Sequence, residues 1–549
     1  MKAIAVGFGL ASLLVLRAAV PAFADDGPPV HCADGSTAVT SKCEMTLIRD
    51  AGLQSAQQYQ VAISGDGKTA WIGGLTVDPA SRLHYFVASY DTATGINHWR
   101  AHYDSPIANG NASGFRVSVS PDDSVVAVTG QALVPLNDGS GQNQYRAITV
   151  TWDAVTGAQH WAVQTRSGST GYRLVFAPDS HTLYVGGQVY TYQTGSDPTT
   201  ETGDDWTIAA YDVATGSERW YTKITAPYIV GNNSDYLDFL AVSADGKHVA
   251  ATGRRPESGI TDGFGNNRGV QWATAVLDST TGSVSWLQTY AGGLGNDYPH
   301  EVAFTPDGST VVVCGEIQTP TGGTNNIAAI VAYSAADGAK LWDDRVTPAN
   351  VAATLAPALA IAPDSSTVYV AMEWTDQGSG ADYVTRALRR ADGSTEWTSS
   401  YAQPGADIPT AIAASPDGGT VYTTGQSQQP LTGYDAATIA YRATSGAERW
   451  VANYAGPGPM SNQDEQNETV AVSGTATRVA VGADSPNADG HLAIALLVYD
   501  TSSDAVGSPA QVPESPGVTP LAVAGAGALI GAALLRRRDL RSLQSAARV

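Results

Sequence analysis

The chain has 549 residues, 52 of them acidic against 30 basic, for a net charge of −22 at neutral pH. A surface of that sign repels polyanions and anionic headgroups, which excludes nucleic acid as a partner. Of the three cysteines, Cys32, Cys43 and Cys314, the first two lie eleven positions apart in a segment with too few further ligands for zinc.

Met1-Lys2, the apolar run over 3–16 and the small-residue ending Ala22-Phe23-Ala24 read as a secretory signal peptide cleaved after Ala24. In an exported chain Cys32 and Cys43 are expected to form a disulfide that staples the segment 25–43, worth about 2–3 kcal/mol. Cys314 follows Val311-Val312-Val313 and reads as a buried apolar thiol. Residues 44–50, Glu-Met-Thr-Leu-Ile-Arg-Asp, precede the first complete inner strand at 59–64 and stand where a fourth strand stands elsewhere.

The region 44–507 is a series of repeats. Tyr211-Asp-Val-Ala-Thr-Gly-Ser-Glu-Arg-Trp220 has close copies ending at Trp99, Trp161 and Trp286 and looser ones ending at Trp342, Trp397 and Trp450, spaced 53 to 66 residues apart. An eighth copy begins at Tyr499-Asp500-Thr501 and then dissolves. Ahead of each copy come two short β-branched runs around a turn, as in Val117-Ser-Val-Ser-Pro-Asp-Asp123 before Val125-Val-Ala-Val-Thr-Gly130. Runs bounded this way are paired antiparallel strands. With a third strand ending in Tyr-Asp and a fourth starting at Trp, each unit is a four-stranded sheet.

Such units at a near-constant period imply an all-β fold, a β-propeller whose blades bury their faces against their neighbours. Inner strands near 61, 117, 174, 241, 302, 359, 411 and 470 predict eight blades, with seven the alternative if the degenerate last unit forms no blade. The strand at 44–50 is expected to complete the last blade and close the ring. The Asp of each Thr-Gly turn should hold backbone amides, the Gly should take positive φ, and the Trp should wedge between blades.

Tyr-Asp-x-x-Thr-Gly-x-x-x-Trp resembles the tryptophan-docking repeat of quinoprotein-type (PQQ-like) propellers. The Val-Tyr-Thr-Thr-Gly425 piece and the 441–450 unit are also similar to generic bacterial propeller repeats. The resemblance implies blades locked by Trp99, Trp161, Trp220, Trp286, Trp342, Trp397 and Trp450. Its dehydrogenase members imply PQQ, bound Ca²⁺, a catalytic Asp and often adjacent cysteines. This chain has no adjacent cysteine pair, and no position here matches the cofactor-binding residues.

After Ser508 comes a Pro-rich linker, 508–517, then the apolar run 518–535, then Arg536-Arg537-Arg538 and a basic tail to 549. The run is long enough to approach the roughly 30 Å hydrocarbon core as a helix, with the arginines cytoplasmic. This ending resembles Gram-positive C-terminal anchoring signals, without the Leu-Pro-x-Thr-Gly of sortase substrates. The expected location is the cell surface: a single-pass anchor carrying an extracytoplasmic, monomeric ectodomain over 25–511, where 23 basic residues face 50 acidic ones.

In a meander the two tight turns of each blade share one end, and the variable stretches 131–144, 188–205, 254–269, 317–326 and 426–435 share the other with the inter-blade links. Binding of a protein or glycan is placed on that long-loop face. The links bring Asp235, Asp238, Asp297, His300, Glu301, Asp407, Asp464 and Glu468 to the expected mouth of the central channel. Asp235, Asp297, His300, Asp407 and Asp464 are the candidate binding residues, as a solvated acidic rim or as oxygen ligands of Ca²⁺. No other cofactor is expected. Neither Gly-x-Ser-x-Gly nor His-Glu-x-x-His occurs. The reading is a non-catalytic binding or scaffolding module, and the alternative is a quinoprotein-like oxidoreductase or another propeller enzyme with acidic catalytic residues.

Overall fold

The computed structural model describes residues 31–32, 43–49, 56–135, 142–165, 170–191, 203–225, 235–256, 269–292, 297–318, 326–347, 351–376, 380–429, 433–455, 466–486 and 492–501. The signal segment 1–24, the linker 508–517, the apolar run 518–535 and the tail 536–549 lie outside the described residues. None of the described segments is a helix long and apolar enough to cross a membrane.

The described strands form eight antiparallel sheets, seven of them meanders of four consecutive strands. Blades 1 to 7 span 56–103, 112–164, 170–224, 236–290, 298–346, 351–401 and 407–454. Blade 8 takes three strands from 466–500 and its fourth from Cys43–Arg49, with Met45 opposite Tyr499 and Arg49 opposite Ala495. The fold is therefore an eight-bladed propeller closed by its N-terminal strand. A short strand, His31–Cys32, flanks this closure, and the backbones of Cys32 and Cys43 stand opposite each other. Their side chains, and so the disulfide, lie outside the description.

The first strand of every blade touches that of the next around the whole ring, so the eight first strands surround the central channel. Second and third strands are buried almost end to end, as in Thr310–Gln318, because neighbouring blades cover both faces. That is why these strands read as continuous Val, Ala and Ile runs rather than as alternating ones. Eight apolar clusters each join two adjacent blades; one of them carries Val61 and Ile72 of blade 1 against Leu496 and Val498 of blade 8.

The repeat motif supplies these joints. Asp153 Oδ1 accepts from the Thr156 amide at 2.7 Å and from its hydroxyl at 2.8 Å. Gly157 then takes a φ of 70°. Trp99 of the preceding blade lies on that turn, and a Cβ at Gly157 would stand 2.6 Å from its ring. Trp99 Nε1 donates to the Ala154 carbonyl at 3.0 Å. The same donation runs from Trp161 to Val213, Trp220 to Ser279, Trp286 to Ala335, Trp342 to Arg390 and Trp397 to Ala443. Trp450 packs on Tyr499 of blade 8 with ring centroids 5.1 Å apart.

Candidate functional site

The acids placed at the channel mouth do not share one position. Asp235, Asp297 and Asp407 stand at the entries of blades 4, 5 and 7, each fully buried. Asp297 clamps one blade to the next: its Oδ2 accepts from the Gly292 amide and its Oδ1 from the Gln318 amide, both at 2.7 Å. Its own amide donates to the Val270 carbonyl of blade 4. Asp407 accepts from the Gln403 amide at 2.5 Å. Asp235 lies 3.4 Å from Arg255 Nε and donates its amide to the Asp204 carbonyl of blade 3. Burial pushes the carboxyls of Asp297 and Asp407 up to about 6, against the amide hydrogen bonds, which favour the charged form. Asp464 and the side chain of Glu468 lie outside the description.

The channel wall has a geometry that the repeat alone does not announce. In every blade, pairing between the first and second strands slips at the same place: Gly114/Arg116 in blade 2, Gly171/Arg173 in blade 3, Leu237/Phe239 in blade 4 and Pro299/Glu301 in blade 5. Equivalent slips occur in blades 1, 6, 7 and 8. The extra residue is a β-bulge, which re-aims the side chains beside it. It also explains the glycine that ends the second-strand motif. A Cβ at Gly130, Gly253, Gly315 or Gly425 would come within 1.9–2.3 Å of the carbonyl just before the slip. Only glycine lets the bulged backbone approach so closely.

The bulge residues and those after them form a girdle. Phe115 and Tyr172 stack with centroids 6.3 Å apart and planes 21° off parallel. Arg173 lies over the Phe239 ring of blade 4 at 4.1 Å. Glu301 Oε2 accepts from the Leu359 amide of blade 6 at 2.7 Å, and burial raises its carboxyl to about 7. Asp238 is gripped by Arg254 through two contacts of 3.0 Å, Nε to Oδ2 and Nη2 to Oδ1. His300 Nε2 stands 3.9 Å from Glu316 Oε1, while Asn326 donates to Glu316 Oε2 at 2.6 Å. The sequence pattern that marks the girdle is the aromatic-Arg-aliphatic opening shared by Phe115-Arg116-Val117 and Tyr172-Arg173-Leu174; the acid-centred reading passed over it.

A PQQ and Ca²⁺ site is what the resemblance implies. Among the described residues no three His, Cys, Asp or Glu side chains stand together in a way that would hold a metal ion. Asp297 and Asp407 are turned onto backbone amides, Asp235 lies against Arg255, and Cys314 is buried in its strand. The described residues therefore supply no ligand set that fits the group.

A sequence model of the family described as outer membrane protein assembly factor BamB matches residues 269–488, from the third strand of blade 4 into blade 8. Over those residues the repeat is PQQ-like. No curated protein matches the chain. Among solved structures, the PQQ-like propeller is similar to a quinohemoprotein alcohol dehydrogenase from Comamonas testosteroni at 13% identity, covering 86% of this chain and 78% of that one, TM-score 0.43. A europium-containing methanol dehydrogenase gives 11% identity, coverage of 82% and 93%, and a TM-score of 0.43. Kuenenia stuttgartiensis hydrazine synthase gives 14%, 67% and 92%, and 0.39.

Proposed function

We propose that this PQQ-like propeller is an exported, membrane-tethered module that binds a protein or glycan on its long-loop face and performs no chemistry of its own. The observation that carries the reading is the use made of the buried link acids. Asp297 spends both oxygens on backbone amides, of Gly292 in the link and Gln318 in blade 5, and Asp407 accepts from the Gln403 amide, so these two link carboxylates serve the scaffold. In each blade the second strand ends and the third begins at the same end of the sheet, which gives a rigid base for variable binding segments. The sequence features that support export and tethering are the signal-like segment 1–24 and the apolar run 518–535 followed by Arg536-Arg537-Arg538, and a disulfide is proposed between Cys32 and Cys43, whose backbones stand opposite each other. The acidic surface argues for partners other than nucleic acid.

The test is thermal unfolding of the propeller with Ca²⁺ and with Ca²⁺ plus PQQ, alongside dye-linked oxidation of alcohols. A cofactor at a hundredfold excess over its Kd adds about 2.7 kcal/mol. No shift and no turnover are expected. A shift with PQQ together with turnover overturns the reading in favour of an oxidoreductase. Protease shaving of intact cells checks the location: the propeller should be cut away while the tail stays cell-associated.

A further inference from the structure

Inner strands begin at the end of each sheet where second strands finish, and this end of the channel is uneven. In blades 2, 3 and 7, Ser113, Thr170 and Ile408 stand opposite Gln131, Gln188 and Gln426 of the second strands. At the same register position, blades 4 and 5 carry Tyr236 opposite Arg254 and Tyr298 opposite Glu316. The other blades form without an aromatic residue there, so the two tyrosines are no requirement of the repeat.

Arg254 joins them across the two blades. Its guanidinium lies 4.6 Å from the Tyr236 ring centroid and 5.5 Å from that of Tyr298. Asp238, the extra residue of the blade 4 bulge, fixes its plane through Nε and Nη2, while Nη1 carries two more N–H groups. Both tyrosines are half-buried, and 29% of the Arg254 side chain is exposed. Beside them Asn326 donates to Glu316 Oε2 at 2.6 Å. His300, the extra residue of the blade 5 bulge, stands 3.9 Å from Glu316 Oε1. The Arg254 charge is matched by Asp238, so the pair selects no ion, and Arg254 itself takes the place of a cation over the two rings. A neutral polyhydroxyl ring fits what is left. Its C–H face packs on an aromatic ring, and its hydroxyls accept from guanidinium and amide and donate to carboxylate.

We propose that the channel mouth over blades 4 and 5 is a carbohydrate-binding site. Tyr236 and Tyr298 are its stacking platform, and Arg254, Glu316 and Asn326 are the partners of the sugar hydroxyls. The site rests on the binding-module reading above and deepens it, by choosing glycan over protein and by placing the glycan at one joint of the ring.

The test is saturation-transfer NMR and calorimetric titration of the purified full chain, kept in a detergent without sugar headgroups. Maltohexaose, cellohexaose and chitohexaose are titrated in separate arms. Saturable binding is expected in at least one arm, and the tightest arm names the sugar. Tyr236→Ala and Tyr298→Ala should each weaken it about tenfold or more, whereas Tyr298→Phe keeps the ring and should stay within about threefold of the parent. Asn326→Ala serves where a tyrosine variant folds poorly, with a loss of about threefold expected. Val155→Ser, in a tight turn and 77% exposed, should leave binding unchanged. Absence of saturable binding in all three arms overturns the proposal and leaves the binding-module reading to the cofactor and turnover test, which none of these residues enters. Parental affinity in Asn326→Ala, or in a Tyr236→Ala/Tyr298→Ala double variant whose circular dichroism matches the parent's, overturns it too, by putting the sugar elsewhere on the long-loop face.

Discussion

Two joints of the ring use one repeat and reach different quality. Between blades 5 and 6, Val312, Cys314, Ile330, Val370 and Met372 are wholly buried, and Trp342 is 8% exposed. Arg390 accepts the Trp342 indole proton on its carbonyl and reaches back to Ser309 of blade 5 at 3.1 Å. The amide of Asp307 donates to Ser365 across the same joint. Between blades 2 and 3, Trp161 is only half-buried, and a cavity of about 10 Å³ lies among Ala147, Thr165, Gly171, Val185 and Thr207. The indole bond is present in both, so the difference lies in the side chains that fill the space between sheets. Interdigitated Val, Ile and Met close one joint; Gly and Ala leave the other with room for about one water.

The sharpest way to break this comparison is to remove each tryptophan in turn. Trp342→Ala should cost about 3–5 kcal/mol in denaturant unfolding, and Trp161→Ala clearly less, because part of that ring already faces water. Equal losses would show that the hydrogen bond, not the packing, sets joint strength.

The next largest effect separates backbone strain from packing in the turns. Gly157 and Gly308 share a φ of 70°, but a Cβ at Gly157 meets the Trp99 ring at 2.6 Å while one at Gly308 meets nothing within 4 Å. Both Ala variants pay about 1–2 kcal/mol for the left-handed conformation. Gly157→Ala should lose about 1–3 kcal/mol more through overpacking. Matched melting temperatures for the two variants would contradict this.

The inter-blade clamps predict a pH effect. The Asp297 carboxyl lies near 3.8 when unfolded and at about 6 when folded, so the folded state holds the proton more tightly. Its contribution is fully present below the unfolded value and is lost as the pH rises through about 6. The difference in stability between the parent and Asp297→Asn should therefore shift by about 1–3 kcal/mol between pH 4 and pH 7, the parent losing ground, and then level off. A flat difference curve would mean that the two amide bonds outweigh burial.

The smallest effect belongs to the loose joint. Thr165 Oγ1 is buried without a hydrogen-bond partner among the described residues and lines the cavity. Thr165→Val removes that hydroxyl at nearly constant shape and should be neutral or gain up to about 1 kcal/mol. A clear loss would place a bound water there.

Period, turn chemistry and apolar runs determined the eight blades, because each is a local property written into contiguous residues: Asp-x-x-Thr-Gly for the turn, Pro-Asp-Gly for the hairpin, Trp for the wedge. The closing strand was also legible, since 44–50 stands alone ahead of the first blade and Tyr499-Asp500 lacks a successor. The candidate site was legible only in part. Asp235, Asp297 and Asp407 can be placed at blade entries by counting, but whether their oxygens face the channel or the backbone depends on how the links fold. Tertiary structure turned Asp297 onto Gly292 and Gln318. The bulge likewise left only a glycine in the second strand as its trace, and the stack of Phe115 on Tyr172 joins residues from two blades. Such encounters are set by how separate units stack around a ring, which no single stretch of sequence records.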